Sequence, residues 1–131
     1  MTYPSASTWF ELPVGDIGRA VKFYEKTLGV TLKVEDCPMT GHKLAVFPYQ
    51  CPEGNSGCLM SGTGVAPSAN SGTTVYLHVK DTLESSLKRA HDGGAKLLVD
   101  ITKLPDPMGR FAVIEDCEGN RVGLHQFGQA A

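Results

Sequence analysis

Residues 8–14 alternate strictly: Phe10, Leu12 and Val14 share one face, and Trp9, Glu11 and Pro13 share the other. That is the period of a strand buried on one side. Residues 73–79 repeat the pattern, with Val75, Leu77 and Val79 opposite Thr74, Tyr76 and His78. The period then changes. After Asp16, the residues Ile17, Ala20, Val21, Tyr24 and Leu28 recur at helical spacing until Gly29, so Asp16 reads as an N-cap and Gly29 as the stop. A second helix is expected with Asp81 as its cap and Glu84 completing a box-like start. Leu83, Leu87 and Ala90 supply its apolar side, and Gly93-Gly94 ends it. Three short strands are expected after each helix, at about 30–36, 43–48 and 57–62, and at about 95–104, 110–115 and 121–126.

The chain resembles itself at one offset. Leu12-Pro13-Val14-Gly15-Asp16 returns 65 residues later as Leu77-His78-Val79-Lys80-Asp81, and Gly29 returns as Gly94. Glu53-Gly54-Asn55 returns as Glu118-Gly119-Asn120 at the same offset, with Leu59 falling on Leu124. A shared offset between separate signatures points to a duplicated unit. The expectation is a single α+β domain over residues 1–131, made of two βαβββ repeats at about 8–62 and 73–127. The Gly-, Ser- and Ala-rich stretch 63–72 joins them. One helix covers one face of a small sheet, so two modules are expected to form a curved mixed sheet around a cleft, with the helices on the outer face.

Composition narrows the partners. Twelve basic residues against 14 acidic ones give a net charge of −2, and no run of Lys or Arg occurs. The electrostatic footprint for nucleic acid or anionic lipid is therefore missing. No apolar stretch approaches the ~20 residues of a membrane span, and Met1-Thr2-Tyr3-Pro4-Ser5 does not read as an export signal. A cytoplasmic protein is expected, with no nucleic-acid or membrane partner. Cys37, Cys51, Cys58 and Cys117 contain no C-x-x-C pair and read as thiols rather than as a disulfide framework.

Three segments carry a family resemblance: Trp9-Phe10-Glu11-Leu12-Pro13-Val14-Gly15-Asp16, Arg19 through Gly29, and Asp116 through His125. Together, in this order and doubled, they resemble the vicinal oxygen chelate superfamily. That superfamily includes glyoxalase I, fosfomycin and bleomycin resistance proteins and extradiol dioxygenases, and the likeness is greatest to its predicted enzymes related to lactoylglutathione lyase. The resemblance implies a divalent metal held by His, Glu or Gln on four strands, at positions that fall here on Trp9, Cys58, Thr74 and Gly123. Indole and glycine offer no donor, and Thr is a poor ligand. The expectation is therefore no resident cofactor and no metal at those positions. Glu11, His78 and His125 supply two imidazoles and a carboxylate as a displaced alternative for a divalent ion.

Strand parity turns Glu11, Tyr76, His78, Arg121 and His125 toward the cleft, together with Trp9. Trp9 reads as a stacking surface for a flat ligand or as a filler of the space a metal left. Glu11 reads as a general base or as an ion-pair partner of Arg121, and His125 as an acid, a ligand contact or a structural hydrogen-bonding group. Arg110, in the loop leading into the penultimate strand, reads as an anion contact or a surface arginine. Cys58 reads as a nucleophile or a buried thiol. Two functions follow. One is a small-molecule binding protein of the glyoxalase and bleomycin-resistance type that works without the usual metal ligands, with Trp9, His78, Arg121 and Arg110 contacting the ligand. The other is a lyase or isomerase with Glu11 as base and His125 or Tyr76 as acid. Either is expected to act as a homodimer.

Overall fold

The computed structural model describes residues 9–38, 40–49 and 56–128. Cys51 and the first copy of the repeated Glu-Gly-Asn lie outside the described residues. The element order is β1 (Trp9–Pro13), α1 (Ile17–Leu28), β2 (Lys33–Asp36), β3 (Lys43–Val46) and β4 (Ser56–Ser61). It continues with β5 (Val75–His78), α2 (Leu83–Asp92), β6 (Lys96–Lys103), β7 (Arg110–Glu115) and β8 (Arg121–Gln126). These are two βαβββ modules. Each forms a four-stranded mixed sheet, ordered β1-β4-β3-β2 in one and β5-β8-β7-β6 in the other. The inner strands β1 and β5 are each paired on one side only, and no backbone hydrogen bond joins them among the described residues. The curved sheet is thus in two halves that meet at a seam.

Burial follows the alternation read from the chain. Leu12 and Val14 are buried beside an exposed Trp9, and Leu77 and Val79 are buried beside an exposed Tyr76. These residues form one cluster with Ala20, Tyr24 and Leu28 of α1 and Leu83 and Ala90 of α2. The core therefore lies between the helices and the helix-facing sides of both sheets, and Trp9 and Glu11 of β1 and Tyr76 and His78 of β5 are left on the other side.

Asp16 caps α1 by accepting from the Arg19 N–H at 3.0 Å, and Gly29 ends it in the left-handed conformation, φ 69°. The apolar face of α1 is wider than its spacing suggested, because Phe23 is also buried, edge-on to Tyr24 at 4.9 Å. The cap of α2 differs from the expectation: it is Thr82, whose side chain accepts from the Ser85 N–H at 3.2 Å. Asp81 is drawn off by Arg89, which donates to it at 2.9 and 3.1 Å, and by the Ser86 hydroxyl at 3.2 Å. A guanidinium offers a fixed pair of donors that one backbone N–H does not match.

The second copy of the repeated turn clamps the modules together. Glu118, with a fully buried side chain, accepts from the Gly15 and Asp16 N–H groups at 2.7 and 2.8 Å and from the Arg19 guanidinium. Asn120 donates to the Pro13 carbonyl, and the Tyr24 hydroxyl donates to Asp116. Burial pushes the Glu118 carboxyl up, but these donors outweigh it and leave the group below its ordinary range. Asp116 moves the other way: burial raises it against the bonds from Tyr24 and the backbone. No helix among the described residues is long and apolar enough to cross a membrane.

Candidate functional site

Three cavities line the seam between β1 and β5. One, of about 500 Å³, is walled by Trp9, Ser56, Thr74 and Tyr76. A second, of about 390 Å³, runs past Phe10, Leu77, Tyr76, His78 and Lys80. The third, of about 490 Å³, holds Glu11, Ser68, Thr73 and Arg121. They share Phe10, and the first and third also share Thr73 and Val75, so they are neighbours along the seam. A separate hollow of about 530 Å³ lies on the helix side, among Lys22, Lys26 and Gly93. Its charges are those of a solvated helix face, and it touches none of the seam residues.

The seam carries exposed aromatic rings, which is unusual for large apolar groups. Trp9 is 42% exposed and Tyr76 is 52% exposed. Tyr76 stands directly across from Gly123 in the β5–β8 register, and its ring fills the space a side chain there would need: a Cβ on Gly123 would come within 2.1 Å of the ring. Phe111 meets the Tyr76 ring edge-on at 5.8 Å. Beyond it, His78 and His125 face each other in register and both contact the ring of Phe127, at 5.0 and 4.6 Å.

His125 Nε2 lies 2.7 Å from the Met108 carbonyl, an acceptor only, so that nitrogen carries the proton and the bond holds the ring. Arg110 is turned to the helix side. It forms a two-pronged pair with Glu84 at 2.8 Å and also donates to Gln126 Oε1, which accepts the Leu83 N–H. The Arg110 guanidinium pulls the Glu84 carboxyl down to about 2, and Arg110 lines none of the seam cavities. Glu11 and Arg121 share a cavity, but no ion pair joins them among the described residues. No described cavity holds Glu11 together with His125.

The sequence matches the family model of the Glyoxalase/Bleomycin resistance protein/Dioxygenase superfamily over residues 7–124. The chain belongs to this superfamily. A glyoxalase I variant from Zea mays is 27% identical with a TM-score of 0.66; the match covers 90% of this chain and 44% of that one. This chain therefore spans less than half the length of the maize enzyme. TnmS3, an antibiotic binding protein from Streptomyces sp. CB03234, is 23% identical with a TM-score of 0.62, covering 98% of this chain and 100% of that one. A glyoxylase/bleomycin resistance protein/dioxygenase domain from Frankia sp. EAN1pec is 18% identical with a TM-score of 0.68, over 95% and 99% of the two chains. No curated protein sequence matches the chain.

The divalent-metal site that the resemblance implies does not fit the residues here. Of Trp9, Cys58, Thr74 and Gly123, two have no donor atom, and Gly123 lies beneath the Tyr76 ring. Cys58 is fully buried, and burial pushes its thiol up to about 11, with the Glu11 carboxylate adding to the shift. The displaced set fares no better. Among the described residues no three His, Cys, Asp or Glu side chains converge as a cation site, so Glu11 does not complete one with His78 and His125.

Sequence reasoning missed two groups. Phe127, 63% exposed, is the ring that both seam histidines contact, and nothing in the local pattern marks it. Glu118 and Asn120 were visible only as part of a repeated turn; that recurrence was the available signal of a structural role.

Proposed function

We propose that this chain binds a small molecule with a flat, apolar body in the seam between β1 and β5, without a divalent metal. One observation carries the reading. Where the superfamily's donor positions fall, this chain has an exposed Trp9, a protonated buried Cys58 and a Gly123 covered by the ring of Tyr76. Trp9 and Tyr76 share one cavity of about 500 Å³, and exposed aromatic rings facing a common hollow suit stacking on a planar ligand. TnmS3, which matches over its full length, is an antibiotic binding protein.

The proton-transfer reading has less support. His125 donates to a backbone carbonyl and does not line the cavity that holds Glu11. A cytoplasmic homodimer remains part of the proposal. Two thiols, Cys58 and Cys117, support the reducing compartment, and exposed Leu97 and Leu98 on the outer strand β6 support self-association.

Trp9 is the only indole in the chain, so its fluorescence tests the reading. Titration with planar aromatic compounds in EDTA is expected to quench Trp9 saturably, and Tyr76→Ala is expected to weaken that binding about tenfold, in line with the loss of one aromatic contact. Absence of saturable quenching across planar compounds, or quenching untouched by Tyr76→Ala, would refute it.

A further inference from the structure

The cavity that holds Glu11 and Arg121 differs from the aromatic part of the seam. It brings a carboxylate and a guanidinium into one hollow of about 490 Å³, yet the two do not pair. Both residues are exposed, so each charge gains little by pairing across the hollow and stays open to a ligand. The walls fix their backbone. The Arg121 N–H donates to the Ser68 carbonyl at 3.2 Å, the Ser68 N–H donates to Asn120 Oδ1 at 3.0 Å, and Asn120 donates to the Pro13 carbonyl beside β1. One asparagine therefore pins the connector, the start of β8 and the end of β1. Glu11 and Arg121 project from backbone tied in this way, and Ser68, Ser71 and Thr73 line the same cavity.

We propose that this cavity is a subsite for a zwitterionic group, an ammonium beside Glu11 and a carboxylate on Arg121, as at the α-amino-acid end of a small molecule. A simple anion would gain Arg121 and be repelled by Glu11, and a simple cation would suffer the reverse. A dipolar group gains both attractions, and the guanidinium matches a carboxylate in geometry as well as charge. The cavity adjoins the one walled by Trp9 and Tyr76, with Thr73 and Val75 lining both. The aromatic body of one ligand then lies on the rings while its dipolar end occupies the charged cavity. Only that joint occupancy rests on the function proposed above; the charged subsite stands on its own geometry.

The test compares 4-nitro-L-phenylalanine with 2-(4-nitrophenyl)ethylamine and 3-(4-nitrophenyl)propionate by calorimetry. The zwitterion is expected to bind about fivefold more tightly than either singly charged analogue, the scale of one partly exposed ion pair. Glu11→Gln is expected to bring it level with the propionate, and Arg121→Gln level with the amine. Equal affinity for all three, or a preference unchanged in both variants, would overturn the subsite. L-Alanine, followed by amide NMR, separates the two proposals because it has no aromatic body. Shifts at Glu11 and Arg121 with Trp9 unmoved support the subsite even if no nitrophenyl compound binds, an outcome that would refute the aromatic reading alone. Saturating L-alanine with no shift at Glu11 or Arg121 would refute the subsite alone.

Discussion

Cys58 shows most plainly what the site's chemistry has become. A thiol in this position needs a nearby cation to become a nucleophile or a metal ligand. Its surroundings are burial and the negative charge of Glu11 and Glu35, which push it up to about 11. Cys117 reaches about 12 for similar reasons: burial first, then Asp116 and Glu118. At pH 8 both are thiols. Brief treatment of the folded protein with iodoacetamide is therefore expected to leave Cys58 and Cys117 unmodified by peptide mass spectrometry, and denaturant to expose both. Rapid modification of Cys58 in the native protein would mean that its surroundings are misassigned. Of the two readings the sequence left open for this residue, the buried thiol matches its environment. The alternation along β1 and β5 was enough to find Trp9, Glu11, Tyr76 and His78, because a strand's side chains change face at every step. It did not tell that Tyr76 lies over Gly123, which depends on a pairing between strands 47 residues apart.

At the level of elements, the two helices show where local pattern is reliable and where it yields. Asp16 and Gly29 bound α1 as their residue types predict. Around α2 an arginine decides instead: Arg89 takes Asp81, also donates to the Thr27 carbonyl of α1 at 2.9 Å, and leaves the capping to Thr82. Glu84, read as part of a box-like start, is held by Arg110. A competing partner several turns or strands away is invisible to a rule that looks three residues ahead. Thr82→Ala is expected to lower stability by about 1 kcal/mol, the usual worth of a cap, measured by urea denaturation. No loss in Thr82→Ala would return the cap to Asp81.

For the whole molecule, the modules depend on each other through the clamp at residues 116–120. Its contacts join residues about 100 positions apart, and no periodicity in the chain announces such pairs. The βαβββ order and the two-module layout were legible because each module's elements carry their own pattern; the clamp and the split of the sheet at the seam were not. Glu118 gives this coupling a pH signature. Its folded value lies below the ordinary 4.5, so its contribution is present above about 4.5 and fades as pH falls through the lower folded value. Asp116 has the opposite sign, since its folded value is raised and its protonation favours the fold, which offsets part of the loss. Glu118→Gln is expected to lose about 2 kcal/mol at pH 7, the scale of a hydrogen bond to a charged group. It should also show a shallower decline in stability between pH 5 and pH 3 than the parent, by thermal melts across that range. A parallel decline in both proteins would remove Glu118 from the account.

The function proposed for the seam is ligand binding by aromatic and polar side chains at the positions where the superfamily resemblance implies a metal. The most direct measurement is a calorimetric titration of a compound that quenches Trp9, done in EDTA and repeated with added zinc, manganese or nickel. The account predicts the same affinity in every case, within about twofold, and no metal-dependent heat at the seam. Binding that appears only when a divalent metal is added would contradict it.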